Sequence, residues 1–231
     1  MLLLGLFNNI LEFVKEGIAP SRCVECGHLG RWLCFNCARE IIFLKQQNCY
    51  RCGRLSKMGR TCEICRRHSD LHSVVVAAHF GIGPIRSLIH RLKYDKLADL
   101  AEILGSILVS AALRNGLRDF VVVPVPLARQ REKARGFNQS ELLAKYLSNK
   151  LNVAFVKMLR RNRNTASQTK LTREQRLLNI KNAFVVQRSA VGDNILLIDD
   201  VITTGATLEE CAKVLKQAGA QKVSALVVAR G

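Results

Sequence analysis

Two adjacent carboxylates, Asp199 and Asp200, end an apolar run of strand length, Ile195-Leu196-Leu197-Ile198. Val201-Ile202-Thr203-Thr204-Gly205-Ala206-Thr207 follows, and a segment with helical periodicity runs on to Ala218. A strand–loop–helix turn of this kind aims free backbone N–H groups and the positive end of a helix dipole at one point, which suits a phosphate. The hydroxyls of Thr203, Thr204 and Thr207 can donate to the same oxyanion, and Asp199 and Asp200 can accept from hydroxyls of whatever carries it. A phosphorylated sugar satisfies both halves. Thr207 with Glu210 three residues later reads as a capping box that opens the helix, and Gly219 marks its stop. Walker B strands and the aspartates of receiver and dehalogenase folds also place acids at a strand end. None of them continues into Thr-Thr-Gly-x-Thr, and no Walker A loop precedes this one.

Eight of the nine cysteines form four C-x-x-C knuckles within 43 residues: Cys23/Cys26, Cys34/Cys37, Cys49/Cys52 and Cys62/Cys65. Thiolates at this spacing converge on a tetrahedral Zn²⁺, and four sulfurs leave no position open for catalysis. Cys23-Val24-Glu25-Cys26-Gly27 recurs 26 residues later as Cys49-Tyr50-Arg51-Cys52-Gly53. The repeat favours two zinc ions bound sequentially, the first by Cys23, Cys26, Cys34 and Cys37 and the second by Cys49, Cys52, Cys62 and Cys65. An interleaved pairing satisfies the same spacing, and disulfides are the alternative in an oxidising compartment. Basic side chains with interleaved aromatics surround the knuckles, among them Arg31, Trp32, Phe35, Tyr50, Arg51 and Arg54. Such a set can hold single-stranded nucleic acid by phosphate contacts and base stacking. The competing use of Trp32, Phe35 and Phe43 is to supply the small core that a ribbon otherwise lacks.

Around these groups the chain alternates strand and helix. Residues 74–78 and 120–123 read as buried strands, 183–186 and 223–229 as later ones, and 152–159 as a weaker one. Pro84 starts a helix near Ile85, and apolar spacing predicts another over 98–113. Pro124 and Pro126 cannot extend a central strand, so the chain leaves the sheet there. It enters the basic stretch 129–135, where Arg131 and Arg135 are the candidates for an anion and Arg129 and Lys133 face solvent. Asn138 with Glu141 caps a helix running to about Leu151. Residues 160–171 are polar without an apolar period and read as a mobile loop, before a helix capped by Thr172 and Gln175. Alternation of this kind implies an α/β, mostly parallel sheet with ligand at the strands' C-terminal ends.

Composition bounds the rest. With 231 residues, 48% hydrophobic and 23% charged, the chain has room for one good-sized core and a small satellite. The expected parts are an amphipathic helix over 1–20, a double zinc ribbon over 21–70 and an α/β domain over 71–231. No apolar run reaches membrane-spanning length, and the opening Met1-Leu2-Leu3-Leu4 lacks the basic flank of a signal peptide, so the expected address is cytoplasmic. The net charge of +18 suits a polyanionic partner or phosphate-rich substrates. It is spread over the chain, with 11 Lys/Arg against 6 Asp/Glu in residues 1–72 and 25 against 12 in the remainder.

The string from Leu197 through Asp199, Asp200 and Thr203 to Thr207 resembles the phosphoribosyl-pyrophosphate (PRPP) loop of type I phosphoribosyltransferases. Val123-Pro124-Val125-Pro126, then Arg131, Arg135, Gly136, Phe137, Asn138, Gln139 and Ser140, is similar to the ComF/GntX subfamily. The four knuckles and Leu92-Lys93-Tyr94 fit as well, so the resemblance spans nearly the whole chain. It implies a type I phosphoribosyltransferase-like sheet flanked by helices, with a small N-terminal zinc-ribbon module. It assigns Asp199 and Asp200 to the ribose hydroxyls as the catalytic pair, and Thr203, Thr204, Gly205, Ala206 and Thr207 to the 5′-phosphate. It brings Mg²⁺ with pyrophosphate, for which charge and position nominate Arg131 and Arg135. It also implies a flexible loop that closes over the substrates, and residues 160–171 are the candidate. ComF is associated with DNA uptake in natural competence, which makes single-stranded DNA and a competence helicase machinery candidate partners. Two functions follow: a phosphoribosyltransferase whose acceptor no hood sequence names, or a non-catalytic DNA-binding factor that uses the PRPP fold as a sensor.

Overall fold

Residues 21–163 and 179–231 are described by this computed structural model. The expected helix over 1–20, the loop from 164 onward and the helix capped by Thr172 and Gln175 lie outside the described residues.

The fold is an α/β sheet of four parallel strands flanked by helices, with a cysteine-rich module at its N-terminal end that carries the short helices α1 (Phe35–Arg39) and α2 (Glu63–Arg66). In chain order the strands are β1 (Ser73–His79), β2 (Val121–Pro124), β5 (Asn194–Ile202) and β6 (Lys222–Arg230), arranged β1-β6-β5-β2. The last strand of the chain therefore lies inside the sheet, paired to β1 through Val75↔Leu226 and to β5 through Leu197↔Ala225. β2 takes the outer position, which is why Pro124 is tolerated as its final residue, opposite Ile198. The weaker strand expected at 152–159 reduces to one parallel bridge, Val122↔Phe155, beyond β2. Asn152 ends the preceding helix in a left-handed conformation, and regular pairing resumes only at β3 (Leu159–Arg161), antiparallel to β4 (Phe184–Val186). Arg160 and Arg161, expected in the mobile loop, are thus strand residues, and Arg161 is buried.

Side chains alternate across a strand, and the alternation divides the interior in two. Val75, Leu196, Ile198, Leu226 and Val228 face one core, and Val74, Val76, Ile195, Leu197, Val223 and Val227 face the other. Covering both faces is what an all-parallel sheet requires. The first core is roofed by α3 (Pro84–Tyr94), α4 (Leu100–Arg114) and α6 (Gln139–Leu151), the second by α7 (Ala206–Gln217) and the β3–β4 hairpin. Pro84 opens α3 as expected. α4 and α6 approach closely at Gly105, where an added Cβ would lie 2.5 Å from the Tyr146 ring. Asn138 caps α6 by accepting from the Ser140 N–H at 3.1 Å. Glu141 does not share the cap, because Lys145 and Lys157 hold its carboxylate at 2.8 and 2.7 Å.

The cysteine-rich module closes the open edge of β1. Leu44 N–H donates to Ala77 O at 3.0 Å, and His79 N–H to Ile42 O at 2.9 Å. The Gln47 amide joins in, donating to Val76 O at 3.0 Å and accepting from Val76 N–H at 2.9 Å. An unpaired edge strand is a template for aggregation, and this segment covers it.

Candidate active site

The eight knuckle cysteines gather into two tetrads, Cys23/Cys26/Cys34/Cys37 and Cys49/Cys52/Cys62/Cys65, each with all its sulfurs within 4.8 Å of one another. The grouping is sequential, as the repeat suggested, and not interleaved. A tetrahedral Zn²⁺ with bonds of about 2.3 Å needs sulfurs about 3.8 Å apart. Cys26–Cys34 and Cys52–Cys62 both stand at 3.6 Å, so both tetrads fit the ion. Each knuckle is a tight turn, with Gly27 N–H donating to Cys23 O and Gly53 N–H to Cys49 O, both at 2.9 Å. Burial opposes a thiolate at Cys23 and Cys49, yet converging backbone N–H groups outweigh it and bring both thiols down to about 6. Burial and the neighbouring sulfurs push Cys37 and Cys65 up instead, so the four thiols of each tetrad divide their protons unevenly.

The carboxylates stand at the C-terminal end of β5, where successive residues meet different neighbours. Asp200 is buried and pairs with the Lys93 ammonium from the last turn of α3. Burial works against its charge, and Lys93 overcomes that, holding the carboxyl below its usual range. Asp199 accepts from Ser140 Oγ at 2.8 Å, in the first turn of α6, and from the Asp200 N–H at 2.9 Å. Burial, reinforced by the Asp200 charge, pushes its carboxyl up to about 7. The pair is therefore split into one fixed anion and one group that can gain or lose a proton near neutrality.

Beyond the pair, Thr203, Thr204, Gly205, Ala206 and Thr207 line a small hollow together with Asp199. The expected capping box is absent. α7 begins at Ala206 with Gly205 as its cap and no side-chain cap bond, while Glu210 accepts from the Asn182 N–H at 2.7 Å. In that first turn the Ala206 N–H donates to Thr204 Oγ1 at 3.3 Å, and a helix start of this kind turns its positive dipole end toward the hollow. Gly205 sits at φ +82°, and a Cβ there would be 2.9 Å from the Tyr50 ring, so no other residue fits without strain.

The pair also borders a cleft of about 490 Å³, which shares Asp199 and Thr207 with the hollow and to which Lys93, Arg131, Arg135, Ser140, Arg161 and Asp200 contribute. α5 (Arg129–Arg135) directs Arg131 and Arg135 into it, while Arg129 and Lys133 are exposed, as expected. Arg135 also donates to Gln139 Oε1. Burial pulls the Arg161 guanidinium down from its usual range and Arg131 adds to this, the mark of cations crowded together. Lys93 enters the sequence analysis only within Leu92-Lys93-Tyr94 and Arg161 only within a polar run, neither with a role at the acidic pair. Lys93 is distant from that pair in sequence, and Arg161 is one of several arginines; only tertiary placement distinguishes them.

The ribbon aromatics divide between the two uses read from the sequence. Tyr50 is buried, and Trp32 packs against the first core. Phe35, by contrast, is 70% exposed and is no ribbon core residue. Cys211, the ninth cysteine, is buried in α7 as part of the second core.

A parallel sheet with a glycine-turned, hydroxyl-rich loop after its acidic strand is the architecture of a phosphoribosyl transferase domain, and the model of that domain matches residues 138–231. Over the longer chain, competence protein F of Haemophilus influenzae is 31% identical across 228 residues, covering 90% of this chain and 96% of that protein. DNA utilization protein YhgH of Escherichia coli is 31% identical over 86% of this chain and 96% of its own length. Competence protein ComFC of Bacillus subtilis is 29% identical over 86% of this chain and 84% of its own. The chain belongs to the ComF family of competence protein F and YhgH.

Proposed function

We propose that the site binds PRPP with Mg²⁺ and transfers its phosphoribosyl group. The observation that carries this reading is that the acidic pair borders a cationic cleft, while Asp199 also lines the hollow of residues 203–207. The three parts supply partners for the 5′-phosphate, the ribose hydroxyls and the pyrophosphate of one molecule. Residues 203–207 would hold the phosphate, Asp199 and Asp200 the 2′- and 3′-hydroxyls, and Arg131 and Arg135 the pyrophosphate. The only clusters of three or more candidate metal ligands among the described residues are the two cysteine tetrads. Mg²⁺, which favours substrate phosphates with one or two carboxylates, would therefore arrive with the pyrophosphate and neutralise its charge as it leaves.

In the transfer, the bond between ribose C1 and the pyrophosphate oxygen breaks, and its electron pair leaves with pyrophosphate. The acceptor's lone pair forms the new bond to C1. Positive charge grows on the ring in between, and Asp199 and Asp200 lie beside it. The protein's share is positioning and charge stabilisation. Asp199, near neutral pKa and hydrogen-bonded to Ser140, accepts best from a ribose hydroxyl when ionised. A pyrophosphate-release assay with PRPP, Mg²⁺ and candidate bases, with and without single-stranded DNA, tests the proposal. Release that depends on an acceptor supports it; PRPP binding without release under every condition rejects transfer.

The second reading is a DNA-handling factor that uses PRPP as a signal. The names of the relatives, which speak of competence and DNA utilization, and the +18 charge favour it. It predicts single-stranded DNA binding that weakens steeply with salt through counterion release. Both readings place the protein in the cytoplasm, where thiols stay reduced for zinc, and leave a competence helicase as a candidate partner.

A further inference from the structure

We infer that Tyr50, carried between Cys49 and Cys52, is a positioning residue for the phosphate loop, so that the metal site of the second tetrad controls the order of residues 203–207. The inference deepens the proposed function and rests on the reading of that loop as the 5′-phosphate site.

Four observations converge on it. The Tyr50 ring is the wall beside Gly205, with its Cδ2 and Cε2 atoms 2.9 Å from where a Cβ would stand. Its hydroxyl bonds Glu209 Oε1, in the first turn of α7, and stands 2.7 Å from Ser69 Oγ. Arg51, the next residue of the same knuckle, reaches Glu209 Oε1 at 3.2 Å, and the Asp70 N–H donates to Glu209 Oε2, also at 3.2 Å. The Tyr50 carbonyl accepts from Arg230 Nη2 at 3.0 Å, at the end of β6. One knuckle thus braces the turn of the loop, the first turn of its helix and the neighbouring strand end.

The loop needs such a brace. Its pivot is a glycine at positive φ, the residue type with the most backbone freedom to lose on ordering. A small metal module holds its shape through the ion, since thiolates gathered without a cation repel and the module has little core of its own. When the second tetrad opens, Tyr50 is withdrawn, and Gly205 and Glu209 lose their outer partners together. Glu209 depends on them, because its largely buried carboxyl has the Tyr50 hydroxyl, Arg51 and the Asp70 N–H as its bonding partners. The first tetrad has no such reach: Val24 and Trp32, from its knuckle region, pack on the other core. It is a built-in control.

Amide hydrogen exchange of the full zinc-loaded chain tests this without any ligand. In Cys52→Ser, exchange over residues 203–208 should rise at least about tenfold, while Cys26→Ser leaves it unchanged and β6 stays protected in both. Tyr50→Leu avoids the risk of general unfolding; it should keep two zinc ions and still expose the loop, and Tyr50→Phe should restore most of the protection. Equal loop protection in Tyr50→Leu and the native chain overturns the inference, as does equal exposure by both cysteine variants with β6 intact. PRPP titration separates the underlying reading: a native protein that does not bind PRPP refutes the phosphate-site assignment, whereas the exchange result still decides the brace. With binding present, Tyr50→Leu should raise the PRPP dissociation constant and Tyr50→Phe should recover most of it.

Discussion

The two cysteine tetrads have the same turns, the same sulfur spacing and the same depressed first thiol, yet they serve different parts of the molecule. The difference lies in the two residues between the first pair of cysteines. Val24-Glu25 sends an aliphatic side chain to the core under α3 and α4, whereas Tyr50-Arg51 reaches Gly205 and Glu209. A repeated metal motif is therefore a repeated scaffold whose task is set by what it carries. One copy contributes to general packing. The other bears on a site that is distant in sequence and adjacent in space.

The largest effect that can break this comparison is metal loss. Structural zinc in small modules is worth about 10–16 kcal/mol, so each tetrad should bind its ion tightly. Elemental analysis should find close to two zinc ions per chain, one in Cys49→Ser and one in Cys23→Ser. Only Cys49→Ser should also weaken PRPP binding; equal weakening by both would erase the distinction between the tetrads.

A smaller effect separates two glycines in the same left-handed conformation. Gly53, at φ +75°, has open space where a Cβ would go, while Gly205, at φ +82°, faces the Tyr50 ring at 2.9 Å. Alanine at Gly53 should cost about 1–2 kcal/mol from backbone strain alone. At Gly205 overpacking adds roughly 1–3 kcal/mol, read as a lower melting temperature together with lost PRPP affinity. Comparable losses at both positions would mean that the Tyr50 wall does not confine the loop.

The smallest effect is one of pH. Burial raises the Glu209 carboxyl in the folded protein to about 7, above the ordinary glutamate value near 4.3. Its contribution to stability is complete below the unfolded value and is lost as pH rises through 7. Glu209→Gln removes that loss, so its stability relative to the native chain should improve by roughly 1 kcal/mol between pH 6.5 and pH 8. Parallel melting temperatures for the two proteins across that window would show that Glu209 is already ionised throughout the window.

The legible parts of this protein were those whose physics is local. Four C-x-x-C knuckles mark two candidate metal-binding tetrads by spacing alone, and Asp199, Asp200 and the threonines of 203–207 belong to one strand–loop–helix unit. Within the basic stretch, charge and position nominated Arg131 and Arg135 over Arg129 and Lys133, and the first two line the cleft. What escaped were contacts made by folding. Tyr50 meets Glu209 across 159 residues, and nothing in Cys-Tyr-Arg-Cys distinguishes a brace from a stacking platform. Lys93 finds Asp200 only because α3 returns to the end of β5. The capping box at Thr207 and Glu210 was a sound local pattern overridden by a glycine cap and by the bond from Asn182 to Glu210. Burial of Arg161 reflects the β3–β4 hairpin, which a polar, arginine-rich run does not announce.

The central claim is that the acidic pair holds the ribose of PRPP. Calorimetric titration of PRPP with Mg²⁺ into the native chain and into the Asp199→Asn, Asp200→Asn double variant tests it most directly. Hydrogen bonds to charged groups are worth about 1.5–3 kcal/mol each, so the variant should lose at least about tenfold in affinity while its melting profile still reports a folded sheet. Equal affinity in the two proteins, or no Mg²⁺-dependent heat in either, would contradict it.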